Sequence, residues 1–98
     1  MKYVFHSEAA KELDESFHYY ESEYAGRGYR FVRKVEECAR RICRYPELGA
    51  EELPNIRRMV VDRFPYKIIY MLHNAEIIIL AIAHSHRMPV YWKKRAEK

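Results

Sequence analysis

The apolar residues of this 98-residue chain change their spacing near residue 56, and the change restricts the possible folds more than any single motif does. Before it, Ala10, Leu13, Phe17, Tyr20 and Tyr24 recur every three or four residues, and so do Phe31, Val35, Cys38, Ile42 and Tyr45. Such spacing lays each set along one stripe of an α-helix, with Lys11, Glu12, Glu15, Glu21 and Glu23 falling off the first. Gly26 and Gly28 supply permissive backbone between the two sets, and Tyr45 precedes Pro46, which stops the second. A helical hairpin is expected over about residues 8–45.

After the change come Ile56 to Phe64, Tyr66 to Leu72 and Ile77 to Ala83, rich in Ile, Val and Tyr and broken by Phe64-Pro65 and by His73 to Glu76. These predict a three-stranded antiparallel meander over about residues 56–83. Residues 47–55, with a proline, a glycine and three glutamates, read as a surface connection. Tyr3 to Phe5 form a short apolar run that predicts a first strand, followed by Ser7 as a helix cap. The expected fold class is α+β, an N-terminal strand, a helical hairpin and then the meander, with the helices packed on one sheet face and the other face open. Residues 1–98 are expected to form a single domain that ends in a basic tail, residues 87–98.

Composition narrows the functional classes. At 49% hydrophobic and 33% charged, with three glycines, the chain departs from disordered sequences. Its net charge of +4 favours an acidic protein or a nucleic acid as partner. No apolar run reaches the roughly 20 residues needed to span a bilayer, and the N-terminus turns polar after Phe5, so a cytoplasmic location is expected, without a membrane partner. Cys38 and Cys43 lie about 500° apart around a helix and are expected to remain reduced thiols.

The stretch RFPYKIIYM places a cation, two aromatics and a proline directly before an apolar run. Pro65 cannot donate to a sheet ladder, so it belongs at a strand boundary, with Phe64 folding inward and Arg63 and Tyr66 at the rim. Arg57, Arg58, Arg63, Lys67 and Arg87 are candidates for a cationic patch. Alternation puts Arg57 and Arg63 on one side of a regular strand and Arg58 on the other. His84 and His86 would share a side if their strand continued, a spacing known from metal sites, but no third ligand stands near them. Neither a metal nor a cofactor is expected. Trp92, beside a run of cations, is a candidate pin for the tail or an anchor for a partner.

RFPYKIIY (Arg63 to Tyr70) and AHSHRMPVYW (Ala83 to Trp92), following the helical hairpin, resemble toxins of the RelE/ParE superfamily, and most closely its ParE-like branch. The resemblance implies the toxin of a bacterial type II toxin–antitoxin module, inhibiting growth and neutralised by an acidic antitoxin protein. ParE-like members inhibit DNA gyrase; RelE-like members cleave messenger RNA on the ribosome without a metal. For cleavage the resemblance offers Lys67, where RelE-like enzymes carry an arginine, and Tyr91, which matches their C-terminal tyrosine. Arg87, His84 and His86 could add a cation or a titrating group. The lysine lacks the fork with which an arginine grips phosphate, so inhibition of gyrase is the favoured reading, with the ribosome-dependent endonuclease and a non-toxic antitoxin-binding module as alternatives. Arg57, Arg63, Tyr66 and Trp92 are the residues expected to meet a partner or target.

Overall fold

The computed structural model describes residues 1–97; Lys98, the last residue of the expected basic tail, lies outside the described residues. The chain runs β1 (Lys2–Phe5), α1 (Ser7–Glu23), α2 (Arg27–Arg44), β2 (Ala50–Leu53), β3 (Ile56–Val60), β4 (Tyr66–His73) and β5 (Glu76–His84), then a single 3₁₀ turn (Lys93–Ala96). The α+β architecture follows the sequence pattern, with one added strand: the five-stranded sheet has the order β1-β5-β4-β3-β2. Strand β1 runs parallel to β5, and the other neighbours are antiparallel. Strand β2 lies inside the expected surface connection. Its sequence, AEEL, carries no strand signal, and it is extended because Ala50 and Glu51 pair with Arg58 and Arg57 at the sheet edge.

The helices differ in phase and ends from the spacing. His6, not Ser7, caps α1, its ring accepting the Glu8 N–H at 3.1 Å. The buried side of α1 is Ala9, Ser16 and Tyr20, with Leu13 half-buried, while Ala10 is exposed. Tyr24 and Tyr45, expected in the buried stripes, are 67% and 59% exposed because each sits just past its helix end, where helical phase no longer applies. The hairpin turn is closed by Glu21, whose carboxylate accepts the N–H groups of Gly26 and Gly28 at 2.8 and 3.0 Å. That carboxylate satisfies donors that the start of α2 would otherwise leave open. Gly28 lets the helices approach, since a Cβ there would stand 2.5 Å from the Phe17 carbonyl oxygen.

Phe31, Val35, Ala39 and Ile42 of α2 meet Ile68, Tyr70, Ile77, Ile79 and Ile82 of the sheet, and Val61 just past β3, in the main core. Tyr70 also fixes the loop before β2. Its buried hydroxyl donates to the Pro46 carbonyl at 2.8 Å and accepts the Gly49 N–H at 3.0 Å. Strand β3 ends at Val60, so the turn that follows, and not strand alternation, sets the direction of Arg63, whose φ is 69°.

The far face of the sheet is only partly open, which corrects the expectation of an uncovered face. Trp92 lies 2% exposed over Ile69, Leu80, Ala81 and Ala83, and the tail folds back with it. Burial of so large a ring outweighs leaving it in water by several kcal/mol, about 3–5 on the scale of Trp-to-Ala changes. The β4–β5 turn is built less favourably: Asn74 and Ala75 both have positive φ, 52° and 61°. A left-handed backbone costs a residue with a Cβ about 1–2 kcal/mol, and asparagine tolerates it better than alanine. Ala75→Gly should therefore stabilise the fold by about 1 kcal/mol, read as a higher denaturant midpoint with an unchanged slope.

Candidate functional site

Beyond Ile79 strand β1 no longer covers β5, and the outer edge of β5 would be bare. The β4–β5 register jumps from Tyr70–Ile79 to Ile69–Ala81, so Leu80 is a bulged residue without a partner. Two side chains from distant segments occupy this edge. Glu12 of α1 accepts the Ile82 N–H at 3.0 Å, and Arg95 of the 3₁₀ turn donates to the Leu80 carbonyl at 3.0 Å. They also meet each other in a two-armed pair at 2.9 and 3.0 Å, with side chains 13% and 15% exposed. The second Glu12 oxygen accepts the Tyr91 hydroxyl at 2.7 Å.

This arrangement decides what Tyr91 can do. Burial, then the hydrogen bond to Glu12 and that residue's negative charge, push the Tyr91 phenol far above its ordinary value; the nearby Arg87 and Arg95 only partly offset this. Both guanidiniums stack over its ring, at 3.9 and 5.1 Å from the centroid. Tyr91 is thus a neutral phenol whose proton points at a carboxylate. Burial opposes the charge on Arg95, and the bonds to Glu12 outweigh it, so its pKa is raised.

Lys67, the other residue expected to carry chemistry, is also held. Its ammonium lies 3.1 Å from Glu52 on β2, which faces Arg58 at 3.4 Å on its other side. Lys67, His84, Arg87, Tyr91 and Glu52 do line one small pocket of about 80 Å³, with Trp92 in its wall. His84 ends its strand by accepting the His86 N–H at Nδ1, 3.0 Å away, and stacks edge-on against Tyr66. His86 stands exposed outside the pocket. Among the described residues no group of three or more His, Cys, Asp or Glu side chains could hold a metal ion.

The four residues expected to meet a partner are scattered. Arg57 points to the helix side and donates to the carbonyls of Glu47 and Gly49 at 3.2 and 2.7 Å, which fixes a loop. Trp92 is spent on packing within the chain. Tyr66 is half-buried, its hydroxyl taking the Ser16 hydroxyl at 3.1 Å. Arg63 stays open, 78% exposed, over a hollow shared with Tyr24, Arg27, Arg30 and Phe64. Arg57 and Arg63 therefore do not share a surface, because β3 stops before alternation could reach residue 63.

What the sequence does not single out is an apolar row on the far face. The register joins Val4, Ile78, Met71, Ile56 and Leu53 across all five strands. Val4 is 40% exposed, and Ile78, Met71 and Leu53 are half-buried. Glu52 carries no signal in the sequence, and Glu12, expected off the apolar stripe, lies instead in phase with Ala9, Leu13, Ser16 and Tyr20, a position where a buried cation must face it.

Three comparisons bear on these features. The family model described as ParE toxin of type II toxin-antitoxin system, parDE, matches residues 3–89. No curated protein sequence matches the chain. A solved structure described as the chromosomal ParDE TA system from P. aeruginosa has the same fold, with a TM-score of 0.75 and 23% identity, over 86% of this chain and 95% of that one.

Removing the carboxylate of Glu12 leaves Arg95 and the Ile82 N–H buried and unpaired, so Glu12→Ala should cost about 3–5 kcal/mol in urea unfolding. For Tyr91 the folded pKa lies above the unfolded value of 10.0. Its contribution to stability is therefore complete below pH 10 and is lost as pH rises above it. Cys38, pushed up to about 11 by burial, acts with the same sign above pH 9. Tyr91→Phe should lose less stability between pH 10 and 11 than the parent chain does, measured by urea midpoints at matched pH.

Proposed function

This chain belongs to the ParE toxin family of type II toxin–antitoxin systems, and we propose that it halts growth by inhibiting DNA gyrase until an acidic antitoxin binds it. One observation carries the choice of target: the two groups that an RNA-cleaving site would need free, Lys67 and Tyr91, are each bound to a carboxylate, at 3.1 and 2.7 Å. Attack by a ribose hydroxyl needs a base to take its proton and cations to steady the phosphate. A phenol held neutral by Glu12 takes no proton near neutral pH, and Glu52 offsets the charge of Lys67.

For the antitoxin, the apolar row from Val4 to Leu53 offers a strip for the apolar side of a helix or strand, and the exposed Arg63 offers a cation to an acidic segment. The ParDE system of the similar structure supports a protein partner of this kind. The ribosomal endonuclease reading keeps one supporting observation, the convergence of Lys67, His84, Arg87 and Tyr91 on one pocket.

Expression alone should stop growth, and co-expression with the neighbouring short reading frame should restore it. Plasmid from arrested cells should show lost supercoiling and double-strand breaks, while messenger RNA ends stay as in uninduced cells. New ends at ribosome-bound codons, abolished by Lys67→Met, would replace gyrase with the ribosome as target; growth unaffected in both conditions would remove the toxin reading.

A further inference from the structure

The outer side of α2 carries a stripe of arginines that neither the core nor the candidate site uses. At about 100° per residue, Arg30, Arg33, Arg40, Arg41 and Arg44 fall within a sector of roughly 100°, opposite Phe31, Val35, Cys38 and Ile42. All five are exposed. Among the described residues the ion pairs of α2 are made by Arg27, with Glu23, and by Lys34, with Glu37 and Asp62. The stripe itself is left uncompensated. Glu37 is the acid lying within it and is engaged by Lys34 at 3.4 Å; Glu36 stands at its border.

The charge is concentrated to an unusual degree. Helix α2 carries seven basic and two acidic residues, a net of +5, while the whole chain has only +4. Helix α1, alongside it, carries six acidic residues and one basic. A polyanion is thus drawn to one helix of the hairpin and repelled by the other, which fixes how it can approach.

We infer that this stripe docks on the phosphate backbone of duplex DNA. From Arg30 to Arg44 the helix rises about 21 Å, a length over which each DNA strand presents about six phosphates. Arginine suits this task because its guanidinium grips phosphate in a two-point geometry. An acidic protein partner fits less well. Protein interfaces are held by apolar anchors at their centre, and exposed apolar residues along α2 lie only at its ends, Tyr29 and Tyr45. Contacts to phosphate carry no sequence information, so binding through them is independent of sequence. The inference stands apart from the choice of gyrase as target, since backbone contact needs no other protein.

The test is fluorescence anisotropy of the full chain with a labelled duplex of about 20 base pairs, two helical turns, across a salt series. The logarithm of the association constant should fall with the logarithm of salt with a slope of about −3 to −4, alike for two unrelated sequences. Replacing Arg33, Arg40 and Arg44 together by Gln should weaken binding at least about tenfold at low salt and reduce the slope by about 2 to 3. Replacing Lys2, Lys93 and Lys94 by Gln removes the same charge elsewhere and should leave the slope near the parent value. Glutamine keeps helix propensity at exposed positions, which circular dichroism checks; Arg40→Gln alone, with an expected slope change of about 1, serves if the triple variant unfolds. Absence of saturable binding, equal losses in both triple variants, or tighter binding of a glutamate-rich peptide to the stripe at the same salt would overturn the inference.

Discussion

The free outer edge of β5 is the constraint around which the rest of the molecule is arranged. A strand whose N–H and C=O groups face outward without partners exposes a template for wrong pairing, and its buried polar groups are costly if left unmade. Here Leu80 and Ile82 find their partners in a guanidinium and a carboxylate instead of another strand. Because Glu12 comes from the first helix and Arg95 from the final turn, the same interaction that seals the edge ties α1, the sheet and the tail together. Trp92, buried on the far face, holds the tail where Arg95 can reach. Either residue of the pair alone would be a buried charge without compensation.

That network also explains why a similar arrangement of residue types can serve different ends. A lysine, an arginine, a tyrosine and a histidine around one small pocket look like the parts of a phosphate-cleaving site. Lys67 and Tyr91 are each held by a carboxylate, and what matters to proton transfer is which groups are free to exchange protons. The surfaces proposed for macromolecules are the apolar row across the far face and the outer side of α2.

Much of the fold was legible because it rests on periodicity. Phe31, Val35, Cys38 and Ile42 announce their helix face, and Pro65 marks the start of β4 at Tyr66. Strand β2 was not legible, since Ala50 and Glu51 are extended only because β3 lies beside them. Tyr24 and Tyr45 misled for a local reason: a spacing pattern does not reveal that the helix has ended one residue earlier. The candidate site was the least legible part. Lys67 and Tyr91 were identifiable by type and position, but their roles are set by Glu52 and Glu12, 15 and 79 residues away in sequence. The arginine stripe of α2 was readable in principle, since its members share a helix face; attention to the apolar face hid it.

The parallel pairing of Lys2–Phe5 with Glu76–Ile79 makes β1 wait for a strand that follows it only after both helices and three other strands. A nascent chain can form its helical hairpin early from local contacts, but β1 has no neighbour until β5 has left the ribosome, and Glu12 has no counter-charge until Arg95 follows. Closure of the sheet edge is in this way timed to the emergence of β5 and the 3₁₀ turn. Until β5 is in place the hairpin has no sheet to cover the face of Phe31, Val35 and Ile42, and the core of the domain cannot close.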